Sequence, residues 1–132
     1  MKIAVIIVRS LIGLLLLFAS VSYFLNLVPQ PELTGNMKIF NEGMAASGYL
    51  MTLVKITELI CGIGFITGRF VTLANVVIFP IVINILLVHG FMAPEGLGAG
   101  IFLFLGVLFL AYYHRDNYRS LFVAKSFSPR QA

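Results

Sequence analysis

Lys55 and Glu58 stand three residues apart inside an apolar stretch that runs from about Gly48 to Thr67. That spacing puts an amine and a carboxylate on one face of a helix, close enough to share a proton or to hold a polar ligand together. At 1.5 Å per residue both charges lie about 10–15 Å from either end of the stretch, near the midplane of a bilayer. An ionised side chain at that depth costs at least about 2.5–3.5 kcal/mol unless it is paired or hydrated. Whatever holds this pair is therefore the best pointer to function.

Other unusual residues share its faces. Gly48, Met51, Lys55, Glu58, Gly62, Phe65 and Arg69 recur at steps of three and four, as do Arg9, Gly13, Leu16, Ser20, Tyr23 and Leu27 nearer the N-terminus. Lipid does not tolerate such stripes, so both turn into a bundle. Arg9 enters about 9 Å from one side and Glu58 lies about 15 Å from the same side, a gap that an extended arginine bridges. The expectation is a bidentate Arg9–Glu58 pair, with Lys55 sharing the carboxylate or facing a cavity. Two cations and one anion leave a net positive site, suited to a quinone oxygen, an anionic ligand or a lipid head group. The competing reading is a static salt bridge that locks the helices.

The elements that position these groups follow from composition. The chain has 132 residues, 60% of them hydrophobic and 11% charged, and its mean hydropathy is +1.02. No ordinary soluble domain has that balance. Ser10–Gln30, Phe70–Pro94 and Gly96–His114 are free of charge, and Gly43–Gly68 is broken only by Lys55 and Glu58. Each run is long enough to cross a hydrocarbon core of about 30 Å as a helix. The fold class expected is all-α: one domain, an integral membrane four-helix bundle. Its helices cover about 3–27, 46–67, 71–90 and 99–114, with a short interfacial helix at about 36–45 and a basic tail over 115–132. Pro29 and Pro31 stop the first helix, and Gly68-Arg69 turns the second into the third. Pro80 kinks the third helix and frees the Val76 carbonyl. Met37, Phe40 and Met44 lie three to four apart and give the interfacial helix an apolar side. The N-terminal segment has the charge and small residues of a secretory signal, Lys2 and Arg9 before Ser20-Val21-Ser22, but is read as a retained membrane helix.

Lys and Arg counts set the orientation. Lys2, Arg9, Arg69, Arg115, Arg119, Lys125 and Arg130 fall on one side and only Lys38 on the other. Both termini are therefore expected in the cytoplasm. The tail mixes its basic residues with Tyr118, Phe122 and Phe127, and either lies on anionic lipid or simply carries the orientation signal. Asn75 lies near the same side, within reach of Arg69. Asn84 can satisfy the backbone loosened by Pro80, and both asparagines are suited to bonds between helices. His89, at the other end of the third helix, is a solvated interfacial residue or a port for protons. Cys61 is alone, so dithiol chemistry is excluded within one chain. No His, Cys and carboxylate cluster has ligand spacing, so no metal site is expected. No nucleic-acid partner is expected, and the chain has no intrinsic cofactor or catalytic motif.

The chain resembles the DoxX family of small membrane proteins. The residues that carry the resemblance are Arg9-Ser10-Leu11-Ile12-Gly13 with Phe18-Ala19-Ser20, then Glu58-Leu59-Ile60-Cys61-Gly62-Ile63-Gly64-Phe65-Ile66-Thr67-Gly68-Arg69, then His89, and the Phe40–Ala46 region. It covers nearly the whole chain. One departure is Tyr23, where the family often has a lysine; either Lys55 offers the cation instead or the site differs. The resemblance implies a four-helix bundle in a bacterial inner membrane. It also implies association with redox systems, since some relatives are subunits of a thiosulfate:quinone oxidoreductase.

Three functions compete. The first is a redox-linked membrane subunit that binds a quinone, a lipid or a partner protein at the Arg9, Lys55 and Glu58 cluster, with Ser20 and Tyr23 nearby. The second is a small proton-coupled transporter built on Glu58. The third is a non-catalytic membrane scaffold. Self-association into a homo-oligomer is compatible with all three.

Overall fold

In hydrocarbon every backbone N–H and C=O needs an internal partner, so long apolar runs fold as helices. The computed structural model describes residues 1–29 and 32–125. Its helices are α1 (Lys2–Leu25), α2 (Gly35–Ala46), α3 (Leu50–Thr67), α4 (Val71–Phe91), α5 (Leu97–Tyr113) and the single turn α6 (Arg115–Tyr118). Short 3-10 turns at Pro94–Gly96 and Arg119–Phe122 complete the order. Among the described residues there is no strand. Four helices are long and apolar enough to cross a membrane: α1, α3, α4, and α5 with its leading 3-10 turn.

The ends of these helices differ from the sequence pattern for local reasons. α1 stops at Leu25, before Pro29 is reached. Asn26 takes the left-handed conformation (φ 51°), and the Leu27 N–H closes onto the Ser22 carbonyl at 3.2 Å. This is a common helix stop, and asparagine tolerates it better than most residues. Pro31 lies outside the described residues. α2 covers the short helix expected at about 36–45, with Met37, Phe40 and Met44 half-buried and Lys38 and Glu42 exposed. α3 starts at Leu50, four residues later than expected. Gly48 turns the chain at φ +80°, and the Ser47 hydroxyl accepts the Leu50 N–H at 3.0 Å.

α4 continues through Pro80. Asn84 makes no hydrogen bond among the described residues, so it does not satisfy the Val76 carbonyl. Its side chain is exposed on the outer face of α4. Asn75 is not bound to Arg69. It is buried, and its Nδ2 donates to the Val107 carbonyl at 3.1 Å, tying α4 to α5.

α1 packs chiefly on α3, α3 on α4, α4 on α5, and α5 returns to α1. The four long helices thus close a bundle. Val5 and Arg9 of α1, Gly68 after α3, Val71 of α4 and His114 after α5 line one cavity. The start of α1 and the end of α5 therefore share one end of the bundle. Ile12, Leu16, Phe65, Ile78, Val82, Val107 and Leu110 form the centre of the core. Outward faces stay apolar, with Leu14, Ile60, Leu73, Leu87 and Leu105 exposed. That surface suits lipid, where close backbone packing rather than water exclusion holds helices together.

Glycines supply the close packing. A Cβ on Gly62 would meet the Gly13 carbonyl oxygen at 3.3 Å, and one on Gly13 would meet the Gly62 carbonyl oxygen at 3.1 Å. On α5, Gly106 lies against the Ile12 side chain. The residues just after α5 are not a free tail. Tyr118 is buried and its hydroxyl donates to the Thr72 carbonyl at 3.0 Å, folding the segment back over the start of α4. Phe127 and Arg130 lie outside the described residues.

Candidate functional site

Glu58 sits at the middle of α3, one turn after Lys55. The Lys55 amine donates to its carboxylate at 3.0 Å. The Glu58 side chain is 3% exposed and that of Lys55 18%. Among the described residues this is the only hydrogen bond the carboxylate accepts. The expected Arg9–Glu58 pair does not form. The Arg9 guanidinium lies against Gly68 instead, where a Cβ would collide with it. Gly68 is ten residues beyond Glu58, about 15 Å along the helix. The reason is the direction of side chains: on a helix they lean toward its N-terminus. α1 and α3 run antiparallel, so Arg9 leans toward one end of the bundle and Glu58 toward the other, onto Lys55.

Lys55 reaches a cavity of about 560 Å³ between α1, α2 and α3. α1 and the residues after it supply Phe18, Ala19, Ser22, Tyr23, Asn26 and Val28. Asn41 and Ala45 of α2 form one wall, and Met51 joins Lys55 on α3. The helix that covers this space is thus the short amphipathic one. Asn41 is committed in part to its own helix, donating to the Met37 carbonyl at 3.0 Å. The Ser22 hydroxyl is buried and has no hydrogen-bond partner among the described residues. An unpaired buried hydroxyl costs roughly 1–3 kcal/mol.

The residues singled out from sequence divide accordingly. Lys55 and Tyr23 line the cavity, and Glu58 holds Lys55 from behind. Ser20 does not line it; its hydroxyl donates back to the Leu16 carbonyl at 2.8 Å in the core. Arg9 belongs to a second cavity at the other end. Arg69 borders an apolar cleft between α3 and α4. His89 packs on Gly96 with its Nδ1 3.1 Å from the Ala93 carbonyl, an arrangement that fastens the turn between α4 and α5.

The sequence reading missed Ser22, Asn26 and Asn41. The signal for Ser22 and Asn26 was present as register: Phe18, Ala19, Ser22, Tyr23 and Asn26 follow at steps of one, three, one and three, a single helical face. That face is rotated from the Arg9–Ser20 stripe.

The arrangement can bind a molecule with an apolar body and one or two acceptor oxygens. Lys55 supplies the amine donor, Ser22, Tyr23 and the asparagines line the space around it, and Phe18, Val28, Leu33 and Met51 supply apolar wall. Among the described residues no group of His, Cys, Asp and Glu could hold a metal ion. No family model, curated protein or solved structure matches this chain.

Proposed function

We propose that this chain is a DoxX-like protein of the bacterial cytoplasmic membrane, a redox-linked subunit that binds a quinone head group in the cavity between α1, α2 and α3. The observation that carries this reading is that Ser22, whose buried hydroxyl has no partner among the described residues, lines the same cavity as Lys55. A quinone ring offers two carbonyl acceptors, and the apolar wall accommodates the ring and the start of its tail. A bound quinone accepts two electrons and two protons. Lys55 brings its amine to the cavity, Glu58 fixes that amine, and Asn41 and Ala45 of α2 form one wall beside it. The chain has no redox group of its own, so a partner protein supplies the electrons.

Titration of the detergent-purified protein with a short-tailed quinone tests the reading. The native protein binds. Ser22→Ala weakens binding about tenfold, the value of one hydrogen bond to a buried site, while thermal stability holds or rises because an orphaned hydroxyl is gone. Unchanged affinity in Ser22→Ala, or no binding by the native protein, overturns it. Proton release driven by a substrate, in vesicles that bind no quinone, would instead favour the transporter. Neither response would leave the scaffold.

Orientation is tested separately. The seven-to-one Lys/Arg asymmetry puts both termini in the cytoplasm. Ser120→Cys in a Cys61→Ala background should react with an impermeant maleimide only after the cells are permeabilised. Labelling of intact cells reverses the orientation.

A further inference from the structure

We propose a second binding site, for a phosphate ester, in the cavity that Lys2, Arg9 and His114 line where α1 begins and α5 ends. The cavity is about 380 Å³, within the range of small-molecule sites; Val5, Ile6 and Val71 give it apolar wall, and Gly68 and Tyr113 complete it. Its three basic side chains come from the start of α1 and the residue after α5, which the bundle brings to one end. Among the described residues no carboxylate lines it. The nearest acid in sequence, Asp116, is taken by Arg119 at 3.3 Å. Arg115 bonds the Tyr112 carbonyl at 3.0 Å and lies over its ring.

Arg9 differs from these. It is half-buried, has no carboxylate partner among the described residues, and is held against the chain where Gly68 leaves room for it. The carbonyls at the C-terminus of α3 offer at most about half a negative charge. That does not neutralise a guanidinium withdrawn from water. Burial, and then the charge of Arg9, hold His114 below the ordinary histidine value, so it stands as a neutral donor. A guanidinium fork, an ammonium and a neutral imidazole around a hollow match the oxygens of a phosphate ester, which Arg grips with two parallel bonds. The source is either the head group of an anionic lipid or a soluble phosphate. This site lies at the opposite end of the bundle from Lys55 and does not depend on the quinone reading.

Native mass spectrometry of the full chain with phosphatidylglycerol or phosphatidylcholine provides the test, alongside thermal protection by glycerol phosphate. Selective retention of one phosphatidylglycerol is expected, reduced about tenfold in Arg9→Gln by loss of charge-assisted bonds. Lys2→Gln, an exposed position that leaves the fold intact, should reduce it about threefold, and this variant decides if Arg9→Gln does not fold. Arg119→Gln removes a charge near the same end but outside the cavity and should change nothing. Protection by glycerol phosphate, lost in the same variants, also supports the site and identifies a soluble source. Equal retention of both lipids without protection by glycerol phosphate, or an Arg119→Gln effect as large as that of Lys2→Gln, overturns the proposal.

Discussion

Lys55→Met lowers the stability of the bundle by about 3–5 kcal/mol, the usual loss when one member of a buried ion pair is left alone. The carboxylate of Glu58 is then stranded at 3% exposure with no other donor among the described residues. Glu58→Leu is expected to cost less, because the Lys55 amine is 18% exposed and opens onto the cavity. The double variant should recover most of the loss, since two apolar side chains replace a pair that at best breaks even. Thermal unfolding in detergent, read as a double-mutant cycle, measures the coupling. Single losses that simply add would show that the two groups do not hold each other. This order of effects reverses what an Arg9–Glu58 pair implies. There Lys55 would be a spare charge, and removing it would be harmless.

Gly62→Leu should destabilise the protein by about 2–3 kcal/mol, toward the upper end of overpacking losses. Even a Cβ on Gly62 would stand 3.0 Å from the Leu17 side chain and 3.3 Å from the Gly13 carbonyl oxygen. Leu17 can yield, but the Gly13 backbone yields only if α1 and α3 separate. Those helices form the most extensive contact in the bundle and frame the cavity beside Lys55, so the variant should also lose the quinone binding proposed there. Gly43→Ala is the contrasting case. Gly43 lies within α2, and a Cβ there meets nothing within 4 Å. Alanine at that position gains up to about 1 kcal/mol of helix propensity. Opposite signs in the two melting shifts are the expected result. A neutral Gly62→Leu would mean that the α1–α3 contact is not close.

Much of the architecture was legible because apolar run length is a direct consequence of bilayer thickness. The four long helices, the half-buried side of α2 and the inward stripes through Gly13, Leu16, Glu58 and Gly62 all follow from spacing. Boundaries were less legible. Ser47 with Gly48, and Asn26 after α1, end or start helices through single local bonds that apolar periodicity does not register. Tyr118 read as part of a basic tail, because nothing in its neighbours signals that its hydroxyl reaches the Thr72 carbonyl.

The sequence by itself determined that Lys55 and Glu58 share a face at mid-helix, since i and i+3 are neighbours on any helix. It determined too that both face the bundle rather than lipid. Only the tertiary structure decided which cation neutralises the carboxylate. Depth arithmetic along the axis made Arg9 reachable, but antiparallel helices point their side chains in opposite directions, and that sends Arg9 to Gly68 and Glu58 to Lys55. The tertiary structure also decided which hydroxyl serves the cavity. Ser20 and Ser22 are alike in sequence, but 100° per residue puts them on different faces: the rotation of α1 against α3 buries Ser20 on its own backbone and leaves Ser22 facing the space beneath α2.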